Sequence, residues 1–265
     1  GTHGKTTTTS MISNMLEICG IEPTVINGGI LNSCNTNAYL GSGDWLVAEA
    51  DESDGSFSLL PANVAIVTNI DAEHMEHYGH FANLLKAFED FVNRIPFYGF
   101  AVMCKDHPEV RNLMKYIKDR KIVSYALNEK ADYQAQNVRI DGNGFAFDVV
   151  IANDKKPQIY KDFFLPMFGF HNVSNALAAI AVGVEMGLGI SEIKTSFKKF
   201  LGVKRRLTVT GLVDNITIID DYAHHPIEIK ASIAAVKQML QSKNKGNLIA
   251  VVQPHRYSRV LDLFD

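Results

Sequence analysis

Cysteine is scarce in this chain and wrongly spaced for structural chemistry. Cys19, Cys34 and Cys104 are odd in number and form no C-x-x-C pair. That excludes a disulfide framework and a thiolate zinc site, and the three read as thiols in a reducing cytoplasm. No apolar run reaches the roughly 18 residues that cross a bilayer, so no membrane partner is expected. No signal-peptide pattern opens the chain. Positive charge is not in excess: Lys and Arg number 26 against 29 Asp and Glu, for a net charge of −3. The basic clusters Lys198-Lys199 and Lys204-Arg205-Arg206 are short, which argues against a dedicated nucleic-acid binder. Repeats and low-complexity tracts are also lacking. What is there is a globular composition, 265 residues and 46% hydrophobic, enough for one or two packed domains.

The most informative segment is the first. Gly1-Thr2-His3-Gly4-Lys5-Thr6-Thr7 reads as the second half of a phosphate-binding loop running into a helix. Glycines let backbone N–H groups approach phosphate oxygens, a lysine reaches the β- and γ-phosphates, and a hydroxyl at the helix start can ligate Mg²⁺. The predicted cofactors are therefore ATP and Mg²⁺. The first glycine of the full motif lies ahead of Gly1, so the chain is expected to open inside the motif.

Behind the loop, Met11, Met15, Ile18 and Cys19 recur at helical spacing, with Gly20 as a stop. Trp45–Ala48, Val64–Thr68 and Gly99–Cys104 are short apolar runs, the pattern of strands buried on both faces of a parallel sheet. Helices are predicted over Phe81–Ile95 and Pro108–Lys118. From Asp132 to Tyr160 polar and apolar residues alternate around Asp141-Gly142-Asn143-Gly144, an antiparallel hairpin inserted before the next helix. Asn172–Met186 reads as an Ala-rich helix, and Ser191 as the cap of another reaching about Leu201. Gly202-Val203-Lys204-Arg205-Arg206 looks like a boundary. Beyond it, strands Leu207–Leu212 and Ile216–Ile219, a helix Pro226–Leu240 and a strand Leu248–Val252 suggest a fresh α/β start. The fold class is thus α/β in two domains, the first built on a mostly parallel sheet.

In open α/β sheets, ligands bind beyond the carboxyl ends of strands, and the polar strings of this chain fall there. Glu49-Ala50-Asp51-Glu52-Ser53-Asp54 follows one strand, and Asn69-Ile70-Asp71-Ala72-Glu73-His74 follows another. An isolated acidic run is more often a solvated turn, and a lone His74 more often structural. Beside a phosphate loop, such carboxylates suit a hard cation. Asp220-Asp221-Tyr222-Ala223-His224-His225-Pro226 and Gln253-Pro254-His255-Arg256-Tyr257-Ser258-Arg259 repeat the arrangement in the second domain. There, paired arginines can hold carboxylate or phosphate.

Together with Met75 after the second string, His171–Ala176 (H-N-V-S-N-A) and Gly202–Arg206 (G-V-K-R-R), these strings occur in an order that resembles the Mur ligases of peptidoglycan synthesis. The resemblance covers essentially the whole chain. It implies a three-domain protein in which residues 1–206 are the central ATP-binding domain. Residues 207–265 would begin a C-terminal Rossmann-like domain, truncated here, and the domain that binds the UDP-sugar would lie elsewhere.

The resemblance also implies roles. Gly1, Thr2, Gly4, Lys5, Thr6 and Thr7 would cradle the phosphates, and Thr6, Glu49 and His74 would ligate Mg²⁺. Glu89 stands where many relatives carry a carbamylated lysine. His171, Asn172 and Asn175 would meet the adenine, and Arg206 and Asp221 the ribose or phosphates. Tyr222, His224, His255, Arg256 and Arg259 would line the amino-acid and acyl-phosphate site. The strings at Asp220 and Gln253 take the form of the member that joins L-alanine to the lactyl carboxylate of UDP-N-acetylmuramate. A murein tripeptide-recycling ligase, a folylpolyglutamate synthase-like ligase and, in another class, a nucleotide switch are the competing readings.

Overall fold

The computed structural model describes residues 1–153, 156–243 and 246–253. The chain starts with α1 (Lys5–Ile18), then β1 (Thr24–Ile26), β2 (Ala38–Tyr39) and β3 (Leu46–Ala48), which form a small sheet in the order β2-β1-β3. After a 3-10 turn at Ser56–Leu59 come β4 (Val64–Val67), α2 (Met75–Tyr78), α3 (Phe81–Asn93), β5 (Phe100–Cys104), α4 (Pro108–Met114) and β6 (Lys121–Ala126). Three antiparallel strands follow: β7 (Tyr133–Asp141), β8 (Gly144–Ile151) and β9 (Gln158–Leu165). The last six strands make one sheet in sequential order, parallel from β4 to β7 and antiparallel from β7 to β9. Two helices, α5 (Phe170–Glu185) and α6 (Ile190–Lys198), close this part.

The large sheet is covered on both faces, and β5 shows how. Phe100, Val102 and Cys104 point into a core shared with α1, α5 and α6, while Ala101 and Met103 point into a second core with α3 and α4. Period-two alternation with no polar residue is what a doubly covered strand requires. The Ala-rich face of α5 allows close approach to α1. A Cβ on Gly183 would lie 2.7 Å from Met15 Sδ, so only glycine fits there without repacking. Helix α1 is rich in threonine, yet it is buried. Ser10 and Ser13 return their hydroxyls to the carbonyls of Thr6 (2.6 Å) and Thr9 (2.8 Å), satisfying them inside the helix.

Beyond the boundary, β10 (Thr208–Val213) and β11 (Ile216–Asp220) form an antiparallel pair, followed by α7 (Pro226–Lys243). Helix α7 packs back on the first part: Ala235 is buried in its core, and the Gly169 N–H donates to Gln238 Oε1 (3.1 Å).

Several expectations need correction. The run Trp45–Ala48 is not buried on both faces, because β3 is an edge of the small sheet and Leu46 is 56% exposed. Leu248–Val252 is not a strand. β10 and β11 pair only with each other among the described residues, so no ladder receives it, and Ile249 and Val251 stand in solvent. The predicted hairpin is present as β7–β8, turning at Asp141–Gly144, and β9 adds a third strand to it that the sequence reading did not separate. Helix α4 stops at Met114, where the chain tightens to i→i−3 bonds from Lys115 and Tyr116. Gly189, not Ser191, caps α6, its N–H donating to Glu192 at 3.3 Å.

Candidate functional site

The phosphate loop is anchored to the end of β4 like an extra rung. Thr2 N–H donates to Asn69 O (3.1 Å), Asp71 N–H to Thr2 Oγ1 (2.9 Å), and Thr68 Oγ1 to His3 O (2.7 Å). Gly4 has φ +79°, and a Cβ there would sit 2.6 Å from Asn175 Oδ1. Both backbone and neighbour therefore demand glycine. Helix α1 starts at the next residue, so its unpaired N–H groups face the loop.

Lys5 Nζ bonds Thr2 O (3.0 Å) and pairs with Glu52 Oε2 (3.0 Å). The Glu52 side chain is 1% exposed and neither of its oxygens accepts a hydrogen bond. Among the described residues, the ion pair with Lys5 is what compensates this buried carboxylate. Thr6 Oγ1 donates to Glu49 Oε1 (3.0 Å), whose other oxygen accepts the Gly28 N–H (2.7 Å). A hydroxyl and a carboxylate at this separation are hard oxygen donors of the kind Mg²⁺ takes. His74 stands apart from that pair, near Glu73 (3.6 Å) and Glu76 (3.8 Å). Glu89 bonds Lys86 (2.8 Å) on α3, and among the described residues no contact joins it to Thr6 or Glu49.

A second group gathers where the two parts meet. A cavity of about 230 Å³ is lined by Gly4, Thr7 and Asn175 on one side and by Arg206, Asp221 and Glu228 on the other, with His171 and Asn172 also in its wall. Asn172 Nδ2 donates to Phe168 O (2.8 Å), which fixes its amide. Arg206 Nη2 reaches Thr6 Oγ1 at 3.4 Å across the seam. Asp221 shapes its own loop, accepting from Leu207 N–H and Ala223 N–H, both at 2.8 Å. The Tyr222 ring lies under Arg205 and Arg206, at 4.8 and 5.8 Å, and beside His224. His224 Nδ1 is 2.9 Å from Tyr222 O. A carbonyl only accepts, so Nδ1 carries a proton. His255, Arg256 and Arg259 lie outside the described residues.

Sequence reasoning missed the groups that tie the seam together. His3 Nδ1 is 3.1 Å from Glu228 on α7, and its Nε2 is 3.2 Å from Asp71, which His107 also approaches (3.3 Å). Burial alone would lower the His3 pKa, but the hydrogen bonds with Asp71 and Glu228 outweigh it and push it up to about 9. The same imbalance, burial against the bond from His3, brings Glu228 down to about 2. Asp71 is held well below the usual carboxylate range by His107 and His3. The His225 ring lies 5.0 Å from that of His3, tilted by 40°, and approaches Glu73 (3.6 Å). One signal for Glu228 was present: an acid two residues after a proline at a helix start. Its Oε2 turns back to the N–H groups of His224 (3.2 Å) and His225 (3.3 Å).

Known proteins bear on this arrangement. The family profile described as the Mur ligase middle domain matches residues 1–183, and the profile described as the Mur ligase, glutamate ligase domain, matches residues 205–262. The chain is 54% identical over 267 residues to the UDP-N-acetylmuramate–L-alanine ligase of Agrobacterium fabrum, covering 100% of this chain and 56% of that protein. Among solved structures, the UDP-N-acetylmuramate-alanine ligase of Thermotoga maritima superposes with a TM-score of 0.79 at 31% identity, over 91% of this chain and 53% of that one. A murein peptide ligase of Psychrobacter arcticus reaches 0.67 at 28% identity, over 91% and 54%. The chain thus spans about half the length of the curated relatives it matches.

Proposed function

The chain belongs to the Mur ligase family, and from that premise we propose that it forms the ATP-binding site and part of the amino-acid site of an ATP-dependent amide ligase. The substrates proposed are UDP-N-acetylmuramate and L-alanine, joined in the cytoplasm during peptidoglycan precursor synthesis. The observation that carries the reading is the cavity walled by both parts, with Thr7 and Asn175 facing Arg206 and Asp221.

In this reading, Lys5 leaves Glu52 for the β- and γ-phosphates when nucleotide binds, and the cavity takes the nucleoside, with Asn172, Asn175 and His171 toward the base. Thr6 and Glu49, with His74 and Glu89 as further candidate ligands, would hold Mg²⁺, which would supply charge neutralisation for phosphoryl transfer. A muramate carboxylate oxygen attacks the γ-phosphorus and ADP leaves, giving an acyl phosphate. The alanine nitrogen then attacks the acyl carbon and inorganic phosphate leaves. The amine must be neutral, and free α-amino groups titrate near ~8. A weak base such as His224 suffices to take the proton. Tyr222, His255, Arg256 and Arg259 are proposed to line the amino-acid side. Arg206 must meet a nucleotide seated on the other part, so closure of the seam belongs to the cycle.

The test is phosphate release by the full-length protein. Release is expected only when ATP, UDP-N-acetylmuramate and L-alanine are all present. Equal release without either substrate would overturn the ligase reading, and a preference for murein tripeptide would reassign the substrate to the recycling reaction.

A further inference from the structure

Glu228 does more than its place in α7 requires. It stands at the third position of that helix, where an acid can return to the N–H groups that open it. Its Oε2 does so, accepting from His225 N–H (3.3 Å) and His224 N–H (3.2 Å). Capping needs only that one oxygen. The other, Oε1, crosses the seam to His3 Nδ1 at 3.1 Å, and both side chains are largely buried.

The far end of this tie is a fixed post. The His3 N–H donates to Asn69 Oδ1 (2.6 Å), and its carbonyl accepts from Thr68 Oγ1 (2.7 Å) and Asn69 Nδ2 (3.0 Å). The phosphate loop is thus bound to the end of β4 through the main chain of the residue that meets Glu228, and Gly4 and Lys5 follow at once. The near end is the loop of residues 221–225, which carries Tyr222 and His224. His224 Nδ1 lies 2.9 Å from Tyr222 O and 3.9 Å from Glu228 Oε2. One rigid carboxylate therefore stands between the phosphate loop and the backbone that presents His224.

We propose that Glu228 is a positioning residue for the second step of ligation, setting the His224 loop against the phosphate loop so that the amine meets the acyl phosphate before water does. The inference rests on the ligase reading above. A carboxylate suits both ends, because His3 Nδ1 and the two N–H groups all donate to it. A glutamine offers one acceptor and turns its NH₂ toward a donor at the other end, and an aspartate is one methylene shorter. Without the alignment, the acyl phosphate still forms but its acyl carbon is open to water. Water adds there and loses a proton to solvent, the bond from the acyl carbon to the phosphate oxygen breaks, and phosphate leaves. The muramate carboxylate is regenerated with no amide made.

The experiment measures phosphate released per amide formed by the full-length protein given ATP, UDP-N-acetylmuramate and L-alanine. The unaltered protein is expected to release one phosphate per amide, and Glu228→Gln at least about three. A purely structural cap would lower both products in proportion, and a ratio that stays at one overturns the proposal. His3→Ala leaves Oε2 and the helix cap in place, and is expected to raise the ratio as well. His3→Asn puts an amide N–H near the Nδ1 position and is expected to bring it back toward one. A ratio of one in His3→Ala, or the same excess in His3→Asn as in His3→Ala, also overturns the proposal. Failure of the unaltered protein to form any amide would overturn the ligase reading itself, a result distinct from an unchanged ratio in the variants.

Discussion

The two parts of the molecule are held by opposite means. In the first, a sheet is sealed on both faces by aliphatic and aromatic side chains, with Phe147, Phe163 and Tyr125 wholly buried. In the second, β10 and β11 carry Val209, Leu212, Val213, Ile216 and Ile218 at least half exposed, and the pair touches no other strand among the described residues. What fixes the second part is α7 against the first core together with charged groups at the seam: His3, Asp71, Glu228 and Arg206. Hydrophobic burial does not titrate and is not screened by dilute salt, whereas such pairs respond to both pH and screening. The contrast suits a rigid platform carrying phosphate contacts and a partner able to close on it.

The largest expected effect is at Lys5. In the full-length protein, Lys5→Ala should lower turnover by at least about 10³-fold, since positioned charge supplies much of phosphoryl-transfer catalysis. The single change also strands the Glu52 carboxylate, so it should cost stability as well. Adding Glu52→Gln should restore the melting temperature without restoring turnover; recovered turnover would show that the lysine acts only through the pair. Next, Phe147→Ala should destabilise the first part by roughly 3–5 kcal/mol in urea titration. A loss below 1 kcal/mol would deny it a close-packed core.

The seam comes third. Glu228→Gln should cost about 2 kcal/mol at neutral pH, as expected for a hydrogen bond to a charged group, read as faster proteolysis around α7. Its pH dependence has a sign. His3 is raised from 6.5 to about 9, so its contribution is complete below pH 6.5 and disappears as pH climbs through 9. Glu228 is lowered from 4.5 to about 2, so its share is complete above pH 4.5 and disappears as pH falls through 2. Resistance should therefore plateau between pH 4.5 and 6.5, and Glu228→Gln should shrink the alkaline loss. An unchanged alkaline limb would exclude the His3 pairing with Glu228. The smallest effect is at Leu212, 71% exposed: its replacement by Ala should change stability by no more than about 0.5 kcal/mol. A larger loss would mean the outer face of β10 is covered.

Elements dominated by local chemistry were legible in the sequence. The loop from Gly1 to Thr7, the strands at Val64 and Gly99, and the Ala-rich helix before Gly187 follow from spacing and composition. The strand β6 escaped notice because Ser124 and Lys121 break its apolar pattern. Ser124 is buried there only because its N–H and Oγ both donate to Asp132 Oδ2, at 2.7 and 2.6 Å, a partner eight residues away. The run Leu248–Val252 misled for the converse reason: apolar content signals a strand only where a ladder exists to receive it. At the site, Thr6, Glu49 and Arg206 come from separate strings that the sequence singles out, and the fold brings them together. His3, Asp71, His107 and Glu228 matter through one another, across 225 positions between His3 and Glu228, and no local pattern encodes that meeting.

The glycine at position 183 has a further consequence. Helix α1 begins at the phosphate loop and α5 carries Asn172 and Asn175, and Met15 is pressed against Gly183 with no room for even a methyl group. Any side chain at 183 would have to move Met15, and with it the packing of α1 on α5. A single hydrogen atom in place of a side chain thus sets how closely the helix that leaves the loop lies against the helix that carries the asparagines.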